Sequence, residues 1–286
     1  MITLRTVSEL RDALAAPRRA GARIGLVPTM GALHAGHLSL IRRARASCDV
    51  VVVSLFVNPA QFTEAADLGA YPRDEAQDAH AADGAGADIL FAPAAQEVYP
   101  PGFATQVSVT GITEPLEGAH RGVAHFDGVA TVVTKLLNMV GPEVAFFGEK
   151  DAQQALVVRR LVSDLNIPTE IATCPTVREA DGLAMSSRNV HLGAADRRRA
   201  VALHRALSAA AERVAGGERS AEAVLEAAHA QLRALAVEPE YLALADPHDL
   251  SPVTDITGPA LLLVAARVGD TRLIDNRLLE PVPAPC

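Results

Sequence analysis

Short apolar runs rich in β-branched residues alternate with stretches of helical periodicity through the first 175 or so residues. No other feature limits the fold of this chain as tightly. IGLVPT (24–29), DVVVVSLFV (49–57), ADILFAP (87–93), EVAFFG (143–148) and TEIATCP (169–175) read as strands. HLSLIRRARA (37–46), RDEAQDAHAAD (73–83), GVATVVTKLLNMV (128–140) and DAQQALVVRRLVSDL (151–165) read as the helices between them. TVSELRDALAA opens as a further helix, with Thr6 as N-cap and Glu9 three residues on. Strands that stay apolar on both faces belong in a parallel sheet covered by helices on both sides. The expectation is a doubly wound α/β domain over residues 1–176.

The rhythm then changes. VREADGLAMSSRNVHLG is a polar, glycine-containing loop, followed by two Ala-rich helices at 194–215 and 220–236. EYLALAD is a strand candidate, and LLLVAARV and TRLIDN, joined by Gly269-Asp270, read as a β-hairpin. Residues 177–286 are therefore expected to form a smaller α+β domain whose tail, PVPAPC, frays.

The formal charge of −8 over 286 residues argues against a nucleic-acid or anionic-membrane surface. The absence of Trp argues against stacking platforms for single strands. An anionic substrate would need local cations or a metal to hold it. Cys48, Cys174 and Cys286 are odd in number and scattered, which fits reduced thiols and no zinc site. The start lacks the pattern of a signal peptide, and no run of about 18 apolar residues occurs. The expectation is a soluble, cytoplasmic chain.

Ligands of such sheets bind beyond the carboxyl ends of the strands. Three chemistry-bearing stretches fall there: PTMGALHAGH (28–37), FVNPAQF (56–62) and FGEKDAQQ (147–154). In the first, glycines allow backbone N–H groups to approach an anion at a helix N-terminus, and His34 and His37 add donors. The alternative is a glycine-rich turn with two solvated histidines. In FGEKDAQQ, Gly148 marks the strand exit, Lys150 offers a point charge for phosphate, and Gln153 and Gln154 offer amides. A plain helix start with Asp151 near the positive dipole end would look the same.

AMSSRN (184–189) places two hydroxyls and Arg188 in a loop, where they either grip phosphate or form a capped surface turn. Gln61, just past a strand, is a candidate for substrate specificity. YPRDEAQD offers Tyr71, Asp74, Glu75 and Asp78, of which Asp78 is either a Mg²⁺ ligand or a solvated helix residue. Arg121, in HRGVAHFDGV, is a candidate substrate contact.

These stretches resemble, in order and with matching gaps, those of the pantothenate synthetases, the pantoate–β-alanine ligase family. The matching pieces are LVPTMGALHAGHLSLIRRA, VVSLFVNPAQF, DLGAYPRDEAQD, HRGVAHFDGVATVVTKLLN, FGEKDAQQ and READGLAMSSRNVHL, spanning roughly 24 to 192. The C-terminal part is matched only by size and rhythm. The family sits among the nucleotidyltransferases and class I aminoacyl-tRNA synthetases, so the resemblance implies a Rossmann-like sheet of nucleotidyltransferase type. HAGH looks like their HIGH signature and AMSSR like the counterpart of their KMSKS loop.

The implied reaction has two steps. Pantoate attacks the α-phosphate of ATP to give pantoyl adenylate and pyrophosphate, and the amine of β-alanine then displaces AMP to give pantothenate. The resemblance implies that His34, His37, Lys150, Ser186, Ser187 and Arg188 stabilise the phosphate charge with Mg²⁺, and that His37 is a proton donor, although charge stabilisation alone would serve there equally well. Pro28, Thr29, Met30, Gly31, Ala32, Leu33, Ala35, Gly36, Gly148, Glu149, Asp151, Val177 and Met185 would frame the nucleotide. Met30, Gln61, Tyr71, Arg121 and Gln154 would face the substrate side, with Gln61 and Gln154 on pantoate and Gln61 also on β-alanine.

The loop 60–72 and the small domain would act as lids, and the assembly would be a homodimer through the nucleotide domain. Ala60 stands where the family usually has Met, and Ala152 where a larger side chain is common. A nucleotidyltransferase acting on a phosphate would lack the paired glutamine motifs, and a synthetase would need tRNA-binding domains. A nucleotide-binding module without turnover would explain the glycine-rich loop but not the gathering of His34, His37, Lys150 and Arg188.

Overall fold

A computed structural model of the chain describes residues 1–62, 68–69 and 71–281. Much of the proposed lid segment 60–72, and the tail after Pro281, therefore lie outside the described residues. The chain divides into two compact units, Met1–Glu149 with Gln153–Pro175, and Lys150–Ala152 with Thr176–Cys286. The short segment after residue 149 thus counts with the second unit, which a boundary drawn once along the chain does not anticipate.

The first unit is a six-stranded parallel sheet of β1 (Ile2–Leu4), β2 (Ile24–Thr29), β3 (Val50–Leu55), β4 (Ile89–Phe91), β5 (Val144–Gly148) and β6 (Glu170–Cys174). The strand order is β1-β4-β3-β2-β5-β6, with every pairing parallel. Strand order reverses between β2 and β5, the topological switch point where such sheets bind ligands. The three stretches singled out above follow β2, β3 and β5, which are neighbours in the sheet.

The helices are α1 (Val7–Arg19), α2 (Ala35–Arg45), α3 (Glu75–Ala85), α4 (Ala95–Val98), α5 (Glu117–Arg121), α6 (Val123–Val140) and α7 (Ala152–Asp164). The expected capping box opens α1: the Glu9 N–H donates to Thr6 Oγ1 at 3.2 Å, and the Thr6 N–H donates to Glu9 Oε2 at 2.9 Å. β1, α4 and α5, of three to five residues, escape sequence reading because none lies within a longer apolar run of the kind that marks β4, β5 and β6. The core is aliphatic, with Leu26, Val27, Ile41, Val51, Val53 and Leu90 fully buried. Cys48 and Cys174 are buried free thiols, and burial pushes both above the ordinary thiol value.

The second unit packs α8 (Ala194–Ala200), α9 (Ala202–Ala215) and α10 (Ala221–Ala234) on an antiparallel sheet ordered β7 (Pro239–Ala245), β8 (Ala260–Val268), β9 (Thr271–Leu279). The expected single helix over 194–215 divides at Val201 into α8 and α9, with φ −65° and ψ −12° at the junction. The hairpin turns at Gly269-Asp270 as expected, with Val268 paired to Thr271 and Gly269 at φ +59°.

One close approach in the first unit has functional bearing. Gly128 of α6 lies against the 3-10 turn Pro59–Gln61, and a Cβ there would overlap Ala60 O and sit 2.7 Å from Gln61 N. Backbone on both sides leaves nothing flexible to yield. Gly128→Ala is expected to destabilise the protein by roughly 1–3 kcal/mol, the usual cost of overpacking. Thermal denaturation checks this, and an unchanged midpoint would refute the close contact.

Candidate active site

β2 delivers PTMGALHAGH to the switch point, and the loop is held by a buried acid. Asp78 of α3 is 3% exposed. Its Oδ2 accepts from the Ala32 N–H at 2.9 Å and its Oδ1 from the Leu33 N–H at 2.7 Å. Gly31 has φ +88°, and a Cβ on it would lie 2.8 Å from Asp78 Oδ2 and 2.9 Å from Leu55 Cδ1. Only glycine admits this carboxylate.

Asp78 is therefore not a solvated surface acid. Both its oxygens serve the loop, and among the described residues no three His, Cys, Asp or Glu side chains gather as a metal set.

The loop also differs from a backbone cradle for an anion. The Gly31 N–H reaches Thr29 Oγ1 at 3.3 Å, and the N–H groups of Ala32 and Leu33 go to Asp78. His34 caps α2, its Nδ1 accepting from the Gly36 N–H at 3.1 Å. His37 Nδ1 accepts in return from the His34 N–H at 3.3 Å. Most of the loop's early N–H groups are thus engaged internally.

This is a capping box with histidine in both positions, where Ser or Thr and Glu are usual. The rings lie 4.1 Å apart between centroids and are tilted by 36°. A neutral imidazole whose Nδ1 accepts carries its proton on Nε2, so each cap sets the ring's tautomer. The alternative of two merely solvated histidines does not describe this arrangement, since both are half-buried.

Beside it, β3 delivers Gln61. The Gln61 Nε2 donates to Met30 Sδ at 3.1 Å, bringing together two of the expected substrate-side residues. Its Oε1 accepts from Asn58 Nδ2 at 3.0 Å. Asn58 is 1% exposed, donates also to Gly128 O at 3.1 Å, and accepts from the Tyr99 hydroxyl at 2.8 Å. Burial pushes the Tyr99 phenol up to about 12, so it stays a neutral donor. His125 Nδ1 lies 2.7 Å from Gln61 O. Tyr71 is buried edge-on against Phe62, with ring centroids 5.8 Å apart.

Sequence reasoning missed Asn58, Tyr99, His125 and Gly128. Only the Asn-Pro pair in VNPAQF hinted at one of them, as a turn signal.

The two glutamines of α7 part company. Gln153 is 3% exposed, accepts from the Glu117 N–H at 3.1 Å, and donates to Ile112 O and Pro115 O at 2.8 and 2.9 Å. It is a brace for the turn ahead of α5. Gln154 is half-buried and makes no hydrogen bond among the described residues. Arg121 donates from Nε to Glu117 Oε2 at 2.8 Å, so its guanidinium is steered by the turn that Gln153 braces. Gly148 ends β5, paired with Cys174, and Glu149 follows it.

In the second unit, Lys150 is 19% exposed, with Nζ 3.6 Å from Asp151 Oδ1. The loop carrying Ser186, Ser187 and Arg188 is a doubled-back segment. The Met185 N–H donates to Val177 O at 3.0 Å, and Arg178 bridges to Ala184. Ser186 caps the 3-10 turn Ser187–His191, its Oγ accepting from the Arg188 N–H at 3.2 Å. The capped-turn reading of AMSSRN is thus correct for Ser186, and it leaves the hydroxyl proton to donate elsewhere.

Asn189 donates to Glu179 Oε1 and Ala184 O at 2.8 and 3.1 Å. Arg197 reaches Glu179 and Asp181, each at 2.6 Å. Its hydrogen bond holds Asp181 below the usual carboxylate range.

The pantoate-beta-alanine ligase family profile matches residues 2–278 of the chain. The pantothenate synthetase of Chelativorans sp. (strain BNC1) is 59% identical over 272 residues, covering 95% of each chain. The crystal structure of pantothenate synthetase from Thermus thermophilus superposes with a TM-score of 0.93 at 49% identity, over 98% of this chain and all of that one. The ligase from Francisella tularensis, complexed with beta-gamma ATP and beta-alanine, superposes at 0.81 with 33% identity, over 97% of each. With its switch-point histidine pair, its Met30–Gln61 contact and near full-length identity to these proteins, the chain belongs to the pantoate–β-alanine ligase family.

Proposed function

We propose that the chain, a pantoate–β-alanine ligase, works in two steps through an acyl adenylate. In the first, a pantoate carboxylate oxygen attacks the α-phosphorus of ATP, and the bond from that phosphorus to the β-bridging oxygen breaks to release pyrophosphate. In the second, the β-alanine amine attacks the acyl carbon, the bond to AMP breaks, and the amine gives up a proton as the amide forms. The single observation that carries this reading is the reciprocal histidine cap at the sheet's switch point. It fixes both neutral rings as the Nε2–H tautomer, and groups oriented in advance favour the charge-rich transition state. The complex of the Francisella tularensis relative supports ATP and β-alanine as ligands.

His34 and His37 act on the phosphates, with His37 the partner of the α-phosphate during attack. Lys150, Ser186, Ser187 and Arg188 of the second unit supply phosphate-holding cations and hydroxyls. Residues 28–36, Gly148, Glu149, Asp151, Val177 and Met185 frame the nucleotide. Gln61 and Gln154 hold pantoate, assisted by Arg121, with Met30 between pantoate and ATP. The neutral Asn58–Tyr99 pair fixes which end of the Gln61 amide faces Met30. Tyr71 and Phe62 contribute an apolar wall that protects the hydrolysable adenylate from water. Mg²⁺ would enter with ATP and neutralise phosphate charge, with Asp78 the carboxylate nearest the histidine loop to assist it.

The protein works in the cytoplasm as a homodimer. No helix among the described residues is long and apolar enough to cross a membrane. Light scattering at micromolar concentration is expected to give twice the chain mass, and a monomer would refute the dimer.

Pantoate alone should drive ATP–pyrophosphate exchange, while AMP release with amide formation should require β-alanine. Absence of pantoate-dependent exchange in folded enzyme with MgATP would sink the adenylate route. His37→Ala and Lys150→Ala should each lower turnover by roughly 10²–10³, the usual loss for one preset donor.

Asp78→Asn sets an amide against one of the two loop N–H groups. It should cost about 1–3 kcal/mol of stability, as for an unsatisfied buried donor. The exchange rate should fall with it, and raised Mg²⁺ should not restore the rate. Recovery at high Mg²⁺ would instead assign Asp78 chiefly to metal binding.

A further inference from the structure

β9 carries two neighbouring polar residues, Asp275 and Asn276, in a strand whose other inward positions are Thr271, Leu273 and Leu279. Adjacent strand residues point to opposite faces, so the pair reaches in two directions. Asp275 is buried, and its carboxylate takes both arms of the Arg178 guanidinium, at 2.6 and 3.0 Å. The same guanidinium donates to Gly182 O at 3.0 Å, closing the turn between Glu179 and Leu183. Gly182, at φ +94°, leaves room for nothing more, since a Cβ there would lie 2.7 Å from His204 Cγ. Arg178 is bridged to Ala184, two residues before Ser186. On the other side, Asn276 Nδ2 donates to the Lys150 carbonyl at 2.9 Å.

A buried ion pair is a weak source of stability, because desolvation offsets most of the attraction. An apolar pair of the same size would hold β9 to the loop equally well. What the charged fork adds is direction, since a bidentate contact fixes both the angle and the register of Arg178. The amide of Asn276 fixes the backbone of Lys150 in the same way.

We propose that Asp275 and Asn276 are positioning residues for adenylate formation. From one strand they set the Ser186–Arg188 loop, through Arg178, and the root of the Lys150 side chain, through its carbonyl. This rests on the assignment of those residues to the phosphates of ATP. Neither Asp275 nor Asn276 touches a reacting atom. Their effect is confined to the step in which the triphosphate must be held in line.

The test separates the two half-reactions in the full-length enzyme. Asn276→Asp keeps the shape and removes the donor, and Asn276→Ala removes the side chain. Both should lower kcat for pantoate-dependent ATP–pyrophosphate exchange about tenfold, as small misplacements of a reacting group do. The KM for pantoate should not move, nor should the rate at which β-alanine consumes pantoyl adenylate supplied to the enzyme. Asn276→Ala should cost nothing further in a Lys150→Ala background, because both act through one side chain. Asp275→Asn should slow the same half-reaction, and its effect should multiply with that of Lys150→Ala.

Equal losses in both half-reactions would overturn the proposal, as would a full multiplicative effect of Asn276→Ala on a crippled Lys150→Ala enzyme. Near wild-type exchange in Lys150→Ala itself would instead remove the phosphate assignment, and the positioning role with it.

Discussion

Two hydrogen bonds from Ala32 and Leu33 to the Asp78 carboxylate hold the loop between β2 and α2 in place. Without them the segment between β2 and α2 has no reason to keep Gly31 and Ala32 at positive φ, a conformation that costs Ala32 free energy. The acid sits on α3, and its two oxygens match two consecutive N–H groups, so the loop is fixed in register as well as position. The His34 cap follows from that geometry, because the chain enters α2 with His34 extended, at φ −121° and ψ 175°. The histidine pair therefore inherits its placement from a carboxylate on another helix.

The substrate-side cluster is built on a similar plan with neutral groups. Tyr99, Asn58 and Gln61 form a directed chain in which each donor finds one acceptor, ending at the Met30 sulfur. An amide can be flipped by exchanging its ends, and this chain removes the ambiguity for Gln61. Buried polar chains of this kind are costly when a single link is missing and specific when all are present. The approach of α6 at Gly128 closes the chain from behind, so backbone rather than side chain backs it.

The parts of this architecture legible in the sequence were those with local periodicity. β-branched runs gave the strands β2 to β6, Thr6 and Glu9 gave the start of α1, and Gly269-Asp270 gave the hairpin. The motif loops were also legible, since each places unusual residue types just past a strand. What was not legible depends on partners far away in the chain. Asp78 and its loop are 45 and 46 residues apart, Asn58 and Gly128 are 70 apart, and Asn276 and Lys150 are 126 apart. An aspartate at the start of a helix gives no sign of which distant N–H groups it will meet. Gln153 and Gln154 likewise look alike in sequence, and only burial separates the brace from the open amide.

The paired histidines carry one more consequence. Each ring closes the first turn of α2 through Nδ1, so helix integrity and the proposed phosphate contacts share the same two side chains. Truncating either ring frays the helix end in the same stroke that deletes a donor. An alanine at these positions therefore overstates the ring's part in the chemistry. An asparagine at position 34, a good N-cap without an imidazole, would isolate that part. On the proposed mechanism, a change at either position is felt twice over, once by the reaction and once by the fold.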